Sequence, residues 1–475
     1  MSETPMDGWS PSSPMKQWAE LCPRQRALRT QDQDYAWADL AREVDAIAAG
    51  LSEQGLKRGD ILTCIGKNTL GGVLIYLACI ELGVACALTM PLPPLELERK
   101  LSALYPPNQI RNIWTQSDCS LPNTRPFRID CNASLTKASL YRPDNLASII
   151  FTSGSTGQPK AVVHTHRQHL ASACGLLASF PFQQGDSWLL SLPMYHVSGL
   201  AILYRWLYCG ATLTMASGNL ENDLADVTHA SLVATQLNRF VSDRSGLKLR
   251  QVLLGGSRIP MSCGVGLARQ GIRVWLGYGM TEAASTVTAK PIDGIDSSGS
   301  LLLNRQVKVE RGRVFVGGET LASGYYQQGQ IRPLTQDGWF DTGDLGKWVG
   351  DELKIIGRAD NMFISGGENI HCEEIETVLD TLPEVTASIV VPIINTQFGH
   401  RPVAVIASQS ELDITEIEAS LSATLAKFKW PDAYYKMPAF LSPSDGKISR
   451  HAVKEWLDTA DNKVALFPLV QLGLS

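Results

Sequence analysis

The chain has 475 residues, 44% of them hydrophobic and 19% charged, with a formal net charge of −5. That length exceeds a single core and calls for two to four domains or subdomains. The mild negative charge gives no electrostatic case for nucleic acid or an anionic membrane, and no stretch reaches the ~18 unbroken apolar residues of a membrane span.

Taken in order, residues 1–15 are polar, without the apolar run of a signal peptide, and are expected to be frayed. From Tyr35 to Leu51 apolar residues recur at helical spacing (Trp37, Leu40, Val44, Ile47, Leu51). Segments 60–66, 85–90 and 109–114 read as strands, and 69–84 and 95–105 as helices. Strand alternating with helix predicts a parallel, doubly wound sheet. The alternation resumes at 146 with a strand, a second strand at 161–166 and a helix at 167–180. Short strands follow near 187–193, 211–216, 229–235, 250–256 and 272–278.

From about 299 to 358 the helices give way to a turn-rich β pattern. A compact α+β unit then fills 362–475. The fold class expected is α/β: a large domain of doubly wound sheets over 16–358 with a small β subdomain at its end, a hinge at 359–361, and a small mobile α+β domain. Ten scattered cysteines, none in a CxxC pair, read as buried thiols of a reducing compartment, and the cytoplasm is the expected location.

One loop carries chemistry. Residues 151–166 read FTSGSTGQPKAVVHTH. A Walker P-loop runs G-x-x-x-x-G-K-[ST] straight into a helix; here Lys160 follows Pro159 and a strand comes next. The ingredients of an anion site are nonetheless present. Gly154 and Gly157 permit turns whose N–H groups converge, Thr152, Ser153, Ser155 and Thr156 add hydroxyls, and Lys160 adds charge. The loop follows an apolar strand, where ligands of α/β sheets bind. Alone, such a loop is more often a flexible linker.

T-S-G-S-T-G-x-P-K resembles the phosphate-binding signature of the adenylate-forming superfamily of acyl-CoA synthetases, peptide adenylation domains and firefly-type luciferases. Further stretches resemble that superfamily in order down to Lys447. Tyr195–His196 matches an aromatic–histidine pair beside the reacting carboxylate. Gly256 and Ser257 match a loop along adenine. In Gly277-Tyr278-Gly279-Met280-Thr281-Glu282 the resemblance implies that Tyr278 stacks on adenine, Thr281 donates to the α-phosphate and Glu282 holds Mg²⁺, which Thr156 also approaches. Asp344 would take the ribose hydroxyls, with Gly343 keeping the approach open, and Arg358 would reach ribose and phosphates. Asp360 matches the hinge, followed by Asn361 where an acidic residue is common. Gly366 and Gly367 match the loop lining the CoA channel, and Lys447 matches the lysine that a mobile domain carries to the α-phosphate.

The implied reaction joins a carboxylic acid to a thiol through an acyl-adenylate, using ATP, Mg²⁺ and coenzyme A. Longer stretches, among them 191–213 and 277–290, resemble the o-succinylbenzoate–CoA ligases of menaquinone biosynthesis. That resemblance implies an acid pocket containing His196, Ser198, Ser231, Thr235 and Thr286. Arg205 and Arg239 carry suitable charge but lie in helical stretches, which favours a salt bridge or a surface-snorkelling role. A CoA ligase for another aryl or medium-chain acid, and a stand-alone adenylation domain loading a carrier protein, are the alternatives. Partners are small molecules, with neither nucleic acid nor membrane insertion expected; a homo-oligomer is left open by the sequence.

Overall fold

A computed structural model describes residues 12–116, 121–131, 139–153, 159–233, 236, 247–256, 267–365, 368–395, 398–441, 448–459 and 464–466. Two large sheets organise the chain before residue 359. The first has eight strands. Its parallel part pairs Ile61–Ile65 with Ala85–Thr89 and Arg111–Thr115, and Ala85–Thr89 with Leu146–Ser153. Ile61–Ile65 and Ala85–Thr89 are buried at every position, as strands covered on both faces must be. The crossover helix Leu70–Leu82 is apolar all round and buried, its ends set by the Thr69 side chain and by Gly83 at φ 64°.

The second sheet has thirteen strands. Its parallel part runs through Arg26–Arg29, Thr212–Met215, Ser187–Leu190, His229–Leu232, Gln251–Leu254 and Arg273–Met280. The registers align Leu232, Leu254 and Leu276, so His229–Leu232 and Gln251–Leu254 end side by side on one carboxyl edge, which Arg273–Met280 runs past. The β-rich stretch divides between the two sheets. Arg305–Glu310, Arg313–Gly318, Phe340–Val349 and Glu352–Arg358 continue the thirteen-stranded sheet, while Gly324–Gln327 and Gln330–Pro333 extend the eight-stranded one.

A core rich in aromatics joins the layers, with Trp37 stacked on Trp206 at 5.1 Å between centroids. The helix Pro14–Leu21 is capped by Ser13 and buries Met15 and Trp18, inside and just beyond the terminus expected to fray. A five-stranded sheet with its own cores forms the last unit, flanked by helices Cys372–Leu379, Ile414–Thr424 and Arg450–Thr459. Among the described residues no helix is long and apolar enough to cross a membrane.

Candidate active site

The signature loop sits in an antiparallel hairpin. Leu146–Ser153 pairs with Pro159–Thr165, and Thr152 lies opposite Lys160. Lys160 is exposed, and its ammonium rests 5.2 Å from the centre of the Tyr325 ring, within cation–π range. The Tyr325 hydroxyl donates to Glu282 Oε1 at 3.1 Å. One aromatic side chain thus connects the cation after the loop to the carboxylate expected to hold metal. Burial, then the Glu282 charge, push the Tyr325 phenol above its ordinary range, so it remains a donor.

Glu282 belongs to a single 3-10 turn, Thr281–Ala283, between strands Arg273–Met280 and Ser285–Pro291. The Gly-Tyr-Gly sequence is strand rather than the hairpin turn it resembles in isolation. Its glycines admit the neighbouring strand: a Cβ on Gly279 would fall 2.0 Å from the Ser285 carbonyl oxygen, and one on Gly277 2.9 Å from Thr286 Cγ2. A bulge between Tyr278 and Gly279 breaks the register here.

At the nucleotide end, the Tyr278 hydroxyl donates to Asp344 Oδ2 at 2.6 Å. Arg358 donates to the Thr342 carbonyl at 2.7 Å and to Asp344 Oδ1 at 3.3 Å. Its Nε and Nη2 reach Asp360 at 3.0 and 3.2 Å. The guanidinium therefore spans the expected ribose carboxylate and the expected hinge residue. Gly343, at φ 73°, leaves room for it, since a Cβ would meet Arg358 Nη2 at 2.7 Å. Burial raises the Asp344 carboxyl, although Tyr278 and Arg358 oppose the shift. Burial also acts upward on Asp360, but Arg358 outweighs it and holds that carboxyl low.

At the acid end, His196 occupies the N-cap position of helix Val197–Cys209, with its ring edge-on to Tyr195 at 4.9 Å. Gly199 lets this helix touch the preceding loop; a Cβ there would meet the Pro193 carbonyl oxygen at 2.1 Å. Ser198 is half-buried on the first turn, and Ser231 and Thr286 are buried. Arg205 corrects the sequence expectation of a surface or salt-bridged cation. It is 2% exposed, and among the described residues no carboxylate pairs with it. Its Nη1 donates to Ser231 Oγ at 3.4 Å, and its guanidinium lies 5.1 Å from the Trp188 ring centre. Burial, with the Arg305 charge next, pushes Arg205 down to about 9, which leaves it cationic at neutral pH. The sequence signal was weak, since an Arg one turn inside an apolar helix reads equally as snorkelling.

Thr152 and Lys160 pair in the eight-stranded sheet, and Tyr325 links Lys160 to Glu282 in the Thr281–Ala283 turn, which precedes the strand that carries Thr286. Gly256, Gly277, Tyr278, Asp344 and Arg358 lie at and beyond the carboxyl edge of the thirteen-stranded sheet. Gly154, Ser155, Thr156, Gly157, Ser257, Thr235, Arg239, Gly366, Gly367 and Lys447 lie outside the described residues, as does the Ser153 side chain. Tyr325 was not singled out from sequence, where it falls within the turn-rich β pattern of 299–358.

The model of the AMP-binding enzyme family matches residues 15–326. The 2-succinylbenzoate–CoA ligase of Salmonella typhimurium is 39% identical over 447 residues, covering 94% of this chain and 97% of that protein. Among solved structures, an Escherichia coli MenE variant with bound OSB-AMS matches with a TM-score of 0.84 at 39% identity, over 94% of this chain and 98% of its own. The o-succinylbenzoate coenzyme A synthetase of Bacillus subtilis, in complex with ATP and magnesium ion, matches with a TM-score of 0.81 at 25% identity, over 93% and 99% of the two chains.

Proposed function

This chain belongs to the AMP-binding enzyme family, and from that premise we infer that it joins 2-succinylbenzoate to coenzyme A, cleaving ATP to AMP and pyrophosphate. It is an AMP-forming acid–thiol ligase that uses ATP, Mg²⁺ and CoA, and its product belongs to menaquinone biosynthesis.

In the first step a carboxylate attacks the α-phosphorus of ATP, and pyrophosphate leaves. Anion must approach anion, so placed positive charge and hydrogen-bond donors are the main levers. Lys160, the 152–157 loop and Arg358 supply them around the phosphates, with Thr281 at the α-phosphate. Glu282 offers the hard oxygen ligand that magnesium prefers, with Tyr325 occupying one carboxylate oxygen and Thr156 a further hydroxyl candidate. Bound there, the ion would neutralise phosphate charge. Tyr278 and Asp344 hold the nucleoside, and Lys447 completes the α-phosphate site. In the second step the CoA thiol attacks the mixed anhydride and AMP departs. The small domain turns about Asp360 between steps, withdrawing Lys447 and presenting Gly366–Gly367. The proposed domain limits follow: 16–358, hinge 359–361, and 362–475.

The observation that carries the substrate class is Arg205. A buried cation that no carboxylate pairs with among the described residues, beside Ser231 and an indole face, suits the spare carboxylate of an aryl diacid. His196, Ser198, Thr235 and Thr286 would frame the rest of the acid. Arg205→Met should lower kcat/KM for 2-succinylbenzoate on the order of 10²-fold, while an analogue lacking the ring carboxylate loses little. Equal losses on both acids would refute the role. The enzyme is placed in the cytoplasm, where ATP and CoA are available and free thiols persist; the eight described cysteines are free.

A further inference from the structure

Glu282 is followed by two residues in a conformation that side chains with a Cβ rarely adopt. Ala284 has φ 50° and Ser285 φ 95°. Neither is glycine, so the surrounding contacts must hold this turn in place. Those contacts come from helix His166–Leu177, which directly follows the strand bearing Lys160. The Ser172 hydroxyl donates to the Ala284 carbonyl at 2.5 Å. Arg305 surrounds the same point from the other side. Its Nε donates to the Thr286 carbonyl at 2.9 Å and its Nη1 to the Leu303 carbonyl at 2.8 Å. Its Nη2 reaches the Ser172 carbonyl and hydroxyl at 2.9 and 2.8 Å.

Arg305 and Ser172 are 5% and 4% exposed, and among the described residues no carboxylate pairs with Arg305. Such a cation is an unusual structural choice, because its charge is left to carbonyl and hydroxyl dipoles. The helix makes room for it. A Cβ on Gly175 would lie 2.0 Å from Arg305 Nη1 and 2.1 Å from the Leu303 carbonyl oxygen. The guanidinium thus bonds to both sides of the site: the helix continuing the Lys160 hairpin, and the strand leaving the Thr281–Glu282 turn.

We propose that Ser172 and Arg305 are positioning residues, a clamp that holds the left-handed Ala284–Ser285 turn and thereby fixes Thr281 and Glu282 against the Lys160 hairpin for adenylate formation. The inference rests on the reading of Thr281 and Glu282 as α-phosphate donor and metal ligand. Removing the clamp lets the turn relax toward ordinary backbone, and a shift of an ångström at a charge-stabilising group costs about 10²-fold in rate.

The test compares Ser172→Ala, Arg305→Lys and Arg305→Met with Thr281→Ala and Glu282→Gln, using two assays on the full chain. One follows pyrophosphate release from ATP, Mg²⁺ and acid without CoA. The other follows thioester formation from ready-made acyl-adenylate and CoA. Arg305→Met should slow adenylation about 10²-fold and Ser172→Ala roughly tenfold. The Mg²⁺ concentration for half-maximal rate should rise, and the thioester step should stay within about twofold. Arg305→Lys, keeping the charge and part of the bonding, should fall between. Adding Ala284→Gly to Ser172→Ala should recover part of the rate, because glycine holds positive φ unaided. A merely structural role would depress both half-reactions together, in step with the unfolding temperature, and that result overturns the proposal. So does normal adenylation in the clamp variants when Thr281→Ala and Glu282→Gln are crippled. Should those two also adenylate normally, the reading of the turn falls, and the clamp with it.

Discussion

At the residue scale, the connections among charged groups define the site. Tyr325 is the instructive case, since its ring faces Lys160 and its hydroxyl binds Glu282. A hydrogen bond to an ionised group contributes about 1.5–3 kcal/mol. Tyr325→Phe retains the ring and removes that bond. Adenylation should slow by roughly tenfold or somewhat more, with the deficit largest at low Mg²⁺, measured as pyrophosphate release. An unchanged rate across a Mg²⁺ titration would exclude Tyr325 from the metal end. Arg358 plays a comparable connecting part between Asp344 and Asp360, and its charge is fixed at any working pH.

At the scale of elements, the strand Pro159–Thr165 and the helix after it carry three histidines into the core. His164, His166 and His169 are no more than 1% exposed. Ser148 Oγ meets His169 Nε2 at 2.7 Å, and the Tyr204 hydroxyl meets His166 Nδ1 at 2.8 Å. Burial pushes His164 down to about 4 and His166 to about 3, and lowers His169 as well. The folded state therefore binds fewer protons than the unfolded chain between about pH 6.5 and 4. Stability should be intact above the unfolded value and fall as pH drops through that window, by up to about 1.4 kcal/mol per pH unit per histidine. Thermal unfolding from pH 7.5 to 4.5 should show the decline, and His169→Gln should flatten it. A midpoint constant over that range would contradict the neutral cluster. These elements also show what sequence can convey. Continuous apolar runs such as Ile61–Ile65 and Leu70–Leu82 announce themselves, because burial on all sides leaves little room for polar residues. The pairing of Gly324–Gln327 with Pro159–Thr165 does not, because pairing across such sequence separation leaves no local periodicity. Tyr325 was missed for that reason, and Arg205 because its burial depends on Trp188 and Ser231 from other strands.

At the scale of the whole molecule, the proposal is that a large and a small domain alternate about Asp360. Lys447→Ala should cut adenylation by ~10²–10³ while leaving transfer from ready-made adenylate largely intact. Asp360→Pro, which fixes φ, should do the reverse. Equal damage to both half-reactions in either variant would speak against rotation. In the described structure, Asn361, the residue after Asp360 in the proposed hinge, donates to Glu373 Oε1 at 2.5 Å, and Arg450 reaches the same oxygen at 3.3 Å. An amide in place of the common acid thus joins the hinge to the helix that begins three residues after Lys447. The most direct test of the central claim is product analysis of the purified chain with 2-succinylbenzoate and Mg-ATP, first without CoA and then with it. The account predicts acid-dependent pyrophosphate and a bound acyl-adenylate in the first case, then AMP and the CoA thioester in the second. Formation of ADP and phosphate, or pyrophosphate release indifferent to the acid, would contradict it.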